Sequence, residues 1–224
     1  MKGLLIKDFK LMLKQKNYFL IIILIAIALA GAFDYNPFFI MGYLVFIAAL
    51  FSISTISYDE FDNGNAFLFT LPFKRNNYVS EKYYFGIIMG LAAWLISLLV
   101  ITVFQLYNGS YIGLNTLILP ALMLIPVMLT ILSIMIPIHL KFGNEKGRIV
   151  NIVFVGGVFI IGYLAVTITN AFHLDLSFFI PPFKTIIASI GIDNFILIIT
   201  MLLGILITII SYKISCHIIN NKEF

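Results

Sequence analysis

With a single cysteine, Cys216, this chain cannot form an internal disulfide, and the position of Cys216 near the end of an apolar run makes it a packing residue. The usual catalytic constellations are missing too. His139, His173 and His217 stand apart, no His-Glu-x-x-His pair occurs, and Cys216 has no base close in sequence. No glycine-rich loop ends in Lys-Ser or Lys-Thr, so the chain brings no phosphate loop of an ATPase. Catalytic, metal and cofactor-binding residues are therefore expected to be none. Asp59, Glu60 and Asp62 could suggest a metal site, but carboxylates beside a membrane more often form a hydrated surface or a partner contact. Charge is scarce at 11% of residues, against 62% hydrophobic residues and a mean hydropathy of +1.08. That balance excludes a water-soluble domain of 224 residues and leaves a fold solvated by lipid.

The apolar residues fall into six runs, near 18–33, 38–58, 83–107, 114–140, 149–170 and 195–212. Each approaches the ~20 residues that a ~30 Å hydrocarbon core requires, the first being a little short. The expected fold is all-α: one polytopic membrane domain over 1–224 with six transmembrane helices. Threading them through a bilayer places thirteen of the fourteen Lys and Arg residues on one side, leaving only Lys184 on the other. By the positive-inside rule that side is the cytoplasm, and both termini lie there. The start of the chain is too mixed for the leader of a cleaved signal peptide, so the first run is expected to stay. Because the basic residues sit in short juxtamembrane segments, lipid headgroups account for them and nucleic acid is not an expected partner.

Within the runs no acidic or basic side chain is expected at the core, which argues against a proton-coupled transporter. Pro120, Pro126 and Pro137 predict kinks or an unwound end in the fourth run. Gly86 and Gly90, with Ala93 one turn further, give the third run a small-residue face, for close helix packing or a subunit interface.

Two inner segments carry more information than the spans. Residues 1–16 read as an amphipathic interfacial helix, with Leu5, Phe9, Met12 and Leu13 on one face and Lys7, Lys10 and Lys14 on the other. Lys7, Phe9, Lys10 and Lys14 are expected to anchor it at the inner leaflet. The second segment, 59–82, joins an acidic cluster to an apolar patch (Phe67, Leu68, Phe69, Leu71) and a basic pair, Lys74-Arg75. A plain solvated connector has no use for four large apolar residues, so a docking or coupling element is expected, carried by Asp59, Glu60, Phe67, Leu71, Lys74 and Arg75. Ser80 is expected to cap the third span, with Glu81 in its first turn. Lys222 reads as an ordinary surface lysine.

The opening Met1-Lys2-Gly3-Leu4-Leu5-Ile6-Lys7-Asp8-Phe9, the segment Tyr58-Asp59-Glu60 to Gly64, and Leu71-Pro72, Arg75, Tyr78-Val79 and Lys82 resemble the permease subunit of an ABC-2 type ATP-binding-cassette exporter. In particular the chain resembles the small bacterial permeases whose ATPase is a separate polypeptide. That resemblance implies a bacterial plasma-membrane permease pairing with a second permease, identical or homologous, above two nucleotide-binding subunits that hold ATP and Mg. It also implies an extracellular segment at 171–193, before the last span. Amphipathic peptides are the first substrate class it suggests, with lipids or hydrophobic drugs next. A non-transporting scaffold or sensor that holds an ATPase is the alternative from another class.

Overall fold

Helix formation follows from long runs of Leu, Ile, Phe and Ala in a solvent that cannot satisfy an open backbone, so every peptide group must bond within its own segment. The computed structural model describes residues 2–32, 37–61, 64–108, 114–171 and 191–222. They hold the helical stretches α1 (Lys2–Lys14), α2 (Lys16–Ala32), α3 (Pro37–Glu60), α4 (Gly64–Leu68), α5 (Arg75–Asn108), α6 (Leu114–Ala171), which is two helices meeting at a kink at Gly143, and α7 (Ile192–Asn221). Among the described residues four stretches are long and apolar enough to cross a membrane: Phe38–Glu60, Arg75–Val103, Leu117–Gly143 and Ile192–Asn221. The pair α1 and α2, bent by 62°, makes a fifth if taken as one broken span. The chain is thus an all-α, multi-pass membrane protein. The backbone of α6 continues to Ala171 through the fifth apolar run, whose side chains are mostly outside the described residues, as is 172–190 of the predicted outer segment.

In the fourth run the interruption falls at its C-terminal end. Its prolines do not break α6; the non-helical backbone falls at Gly143, with φ 72° and ψ −175°, a conformation that glycine adopts without steric cost. Proline still leaves a carbonyl unbonded four residues back. For Pro137 that is the carbonyl of Ser133, and the Ser211 hydroxyl of α7 donates to it. The Ser133 hydroxyl in turn donates to Thr208 at 3.0 Å. At Pro126, Gly204 of α7 comes so close that an added Cβ would lie 3.3 Å from the proline Cα. The α6–α7 contact is therefore shaped by what proline removes and what glycine omits.

Helix α3 packs against both α5 and α6, and α7 closes on α5 and α6. The main core joins Val45, Ala49 and Ile56 of α3 to Tyr78, Val79 and Tyr83 of α5 and to Met128, Leu132, Ile136 and Leu140 of α6. Gly86 and Gly90 face α6 within the chain: a Cβ at Gly86 would meet Leu132 at 2.9 Å, and one at Gly90 would strike the Met128 sulfur. Their small size serves an intramolecular helix contact. Ala93 lies elsewhere, lining a groove with Leu44 and Met89.

The start of α5 corrects the sequence reading. The helix begins at Arg75 rather than near Tyr83, so Ser80 sits inside it, donating to the Asn76 carbonyl at 2.9 Å and meeting the Tyr212 hydroxyl at 2.8 Å. Ser80 caps nothing. Glu81, expected in the first turn, and Lys82 consequently lie well inside α5 and are buried. Local composition ended the apolar run at Tyr83, but the helix starts about two turns earlier, and Lys82 is buried there against Asp8 and Asp59 from other helices.

Candidate coupling site

A lysine ammonium can enter a protein interior only with carboxylates already in place. Lys82, 1% exposed, has its Nζ 2.5 Å from Asp8 Oδ2 of α1 and 2.8 Å from Asp59 Oδ2 of α3, and donates to Thr55 Oγ1 at 3.1 Å. The Lys7 ammonium pairs with the other oxygen of Asp59 and lies 3.2 Å from Asp8 Oδ1. Tyr78 donates its hydroxyl to Asp59 at 3.1 Å, and its ring lies 5.1 Å from the Lys82 ammonium. Glu81, also buried, comes within 3.6 Å of Lys82. Two ammoniums and three carboxylates thus pin α1, the end of α3 and the start of α5 to one another.

Why α1 enters this cluster is visible in its own pattern. Leu4 and Asp8, one turn apart, are its buried residues, while Leu5, Phe9, Leu11 and Met12 pack around Phe51, Phe85 and Met89. Phe9 meets Phe85 edge to face at 5.3 Å. Of the predicted anchors, Lys10 and Lys14 are exposed, whereas Lys7 turns to Asp59 and Phe9 to the protein. Leu13 of the predicted apolar face is exposed.

A second cluster holds the far end of α7. The last carbonyls of a helix have no partners within it. Arg75 Nη1 donates to the carbonyls of Ile219, Asn220 and Lys222 at 3.0, 3.0 and 2.8 Å. Lys222 Nζ donates to Glu60 Oε1 at 3.1 Å and to the Leu140 carbonyl at 3.0 Å, and Asn220 donates to Asn76 at 3.0 Å. Lys222 therefore belongs to the same assembly as Arg75 and Glu60. It is no ordinary surface lysine.

The apolar patch divides between these clusters and the outside. Leu68 is buried, and Phe69 stacks on Phe73, Tyr78 and the Arg75 guanidinium, at 5.9, 5.4 and 5.8 Å. Phe67 on α4 is 71% exposed, Leu71 and Lys74 are also exposed, and Phe61 at 70% joins them. Of the six candidate coupling residues, Phe67, Leu71 and Lys74 face outward, while Asp59, Glu60 and Arg75 bind the chain to itself. Sequence reading passed over Phe61, Asp8, Lys82 and Tyr78 as site residues. Phe61 had a signal, as a large aromatic in a polar stretch. Asp8 had the weaker one of a carboxylate within the buried stripe of an amphipathic helix. Among the described residues no group of three or more His, Cys, Asp or Glu is arranged to hold a metal.

Long apolar helices that end in charge clusters, with Phe61 and Phe67 exposed beside them, define a multi-pass membrane protein. Residues 3–220 match the family described as ABC-2 family transporter protein, and the chain belongs to that family. It is an ABC-2 membrane permease, a class that works in lipid with a partner ATPase. Comparison with curated proteins and with solved structures gives no match.

Proposed function

We propose that this chain is the permease of an ATP-driven exporter in a bacterial plasma membrane, with six spans, both termini cytoplasmic and α1 lying at the inner leaflet. A second permease, identical or homologous, would pair with it, and separate ATPase subunits would bind ATP and Mg below. The observation that carries this reading is the exposed surface of Phe67 on α4 with Phe61 before it and Leu71 and Lys74 after it, held between two clusters that tie its flanks to the spans. A large apolar side chain held at the polar end of a helix bundle gives a soluble partner something to bury.

The route for motion follows from the contacts. Closure of the ATPases would push α4 and the ends of α3 and α5 that flank it. Asp59 joins α3 to Lys82 of α5 and Lys7 of α1, so those three helices would shift together. Arg75 and Lys222 would carry the same movement to α7. Nucleotide drives such a change only through its differential affinity for the two arrangements.

An export substrate with a substantial apolar face suits the membrane surface available. A groove of about 490 Å³ opens between α1, α2, α3 and α5, lined by Phe19, Leu44, Ala48, Met89 and Ala93, with Lys16 the charged residue at its wall. That volume lies within the range of small-molecule sites. Amphipathic peptides are the first class proposed, then lipids and hydrophobic drugs.

The test is reconstitution with the cognate ATPase, scored for complex formation and vesicle transport at equal insertion. Phe67→Ala and Leu71→Ala should each weaken ATPase binding about 10-fold or more, as central interface anchors do, while changing permease stability by less than about 0.5 kcal/mol. Lys10→Ala, exposed on α1, should leave binding unchanged. Wild-type complex formation and transport in both variants would reject the surface as the coupling element. Substrate-stimulated ATP hydrolysis without net movement would point to a sensor instead of an exporter.

A further inference from the structure

At the inner end of the pair α6 and α7 a cleft of about 600 Å³ remains that the coupling contacts do not fill. Its walls carry Lys141 and His217, with Asn221 and Lys222 at the end of α7. Apolar residues complete it, chiefly Ile138, Ile214 and Ile218. Lys222 is committed to Glu60 and to the Leu140 carbonyl, so its charge serves the protein. Lys141 is exposed beside the Phe142 ring and makes no ion pair among the described residues. The Asn221 amide lies 3.1 Å from His217 Nε2; with Asn221 donating there, the imidazole proton sits on Nδ1.

We infer that this cleft binds the headgroup of an anionic phospholipid, its phosphate meeting Lys141 and His217. The inference rests on the topology proposed above, which sets this end of α7 at the inner leaflet surface. Basic pockets between helices at that level suit anionic headgroups. What selects a lipid over a free phosphate is the surface that continues from the cleft. Ile214, Ile210, Leu206 and Leu203 recur at helical spacing on α7 and are all at least half exposed. At 1.5 Å per residue they form an apolar track roughly 16 Å long, about half of a ~30 Å hydrocarbon core. A headgroup in the cleft thus has an acyl path of one leaflet's depth directly below it. A soluble anion would use the cation and leave the track empty.

The experiment places the full-length permease in nanodiscs of phosphatidylcholine doped with a photoreactive-tail phosphatidylglycerol, or with a phosphatidylcholine carrying the same tail. Labelled residues are then mapped by mass spectrometry. The glycerol lipid should label residues 203–218 several-fold more than its choline counterpart. Lys141→Gln should lower that label about 5-fold, and Lys141→Gln with His217→Gln about 10-fold or more. Lys141→Arg and Lys213→Gln, the latter at an exposed lysine outside the cleft, should keep it. Equal labelling by both lipids, or an undiminished label in a double variant that melts like the wild type, overturns the proposal. Competition by inorganic phosphate overturns it in favour of a free-anion site, and a covalent permease dimer in place of a lipid adduct overturns it in favour of a second copy. Should the double variant not fold, the wild-type lipid preference and the contrast of Lys141→Gln with Lys141→Arg still decide. Labelling needs neither ATP nor the ATPase, so its failure leaves the exporter reading standing, and loss of ATPase binding leaves the lipid site standing.

Discussion

The two charge clusters use the same chemistry in different surroundings. Around Lys82 the ammonium, Asp8 and Glu81 are almost wholly excluded from solvent, whereas the side chains of Lys222 and Glu60 are 28% and 15% exposed. A buried charge stripped of its partner has no water to fall back on, so the first cluster behaves as a fixed joint. In the second, the groups can exchange protein partners for water at modest cost. On the proposed exporter reading the first would keep α1, α3 and α5 moving as a unit, and the second would yield between conformations.

The largest effect is therefore expected at Lys82. Lys82→Met would leave Asp8 and Asp59 facing each other with only Lys7 between them, and should cost about 3–5 kcal/mol. Thermal unfolding in detergent measures it; a loss below about 1 kcal/mol would show that the cluster is not a rigid joint. Arg75→Ala comes next. It removes a guanidinium that serves three terminal carbonyls of α7, and about 1.5–3 kcal/mol is expected for charge-assisted bonds of this kind. Amide exchange should quicken at 217–222 without quickening at 78–85; equal acceleration in both segments would erase the distinction between the clusters. Lys222→Ala should be the mildest, at about 0–1 kcal/mol for a partly exposed pair. Its loss should add little in an Arg75→Ala background, since both hold the same helix end. Full additivity in a double-mutant cycle would mean that they act separately.

Much of the architecture was legible before any contact was known. The apolar runs near 38–58 and 195–212 match the spans Phe38–Glu60 and Ile192–Asn221 within a few residues at the outset of each. Helices follow because lipid offers the backbone no alternative. A helix at the start also emerged, as α1, with Leu13 exposed and Lys7 turned to Asp59 against the expected faces. The candidate site was legible only in part. Phe67 and Leu68 are adjacent and both apolar, yet one is exposed and the other buried, a difference decided by what α4 packs on. The partners of Arg75 and Lys222 were hidden because Arg75 donates to carbonyls 144 to 147 residues away and Lys222 to Glu60, 162 residues away.

The sequence by itself determined the solvent and hence the class: 62% hydrophobic residues in long unbroken runs, without the alternation of a membrane barrel, call for helices in a bilayer. Only the tertiary structure decided which faces meet. A helix that is apolar all round gives no contrast by which its packed side can be told from its lipid side. Nor does local composition say that a lysine at 82 will find carboxylates at 8 and 59, since a charge is read as an end of the membrane run until its partners are brought within 3 Å of it. Proximity of that kind is a property of the packed helices, because electrostatic compensation depends on distance in space and not on distance along the chain.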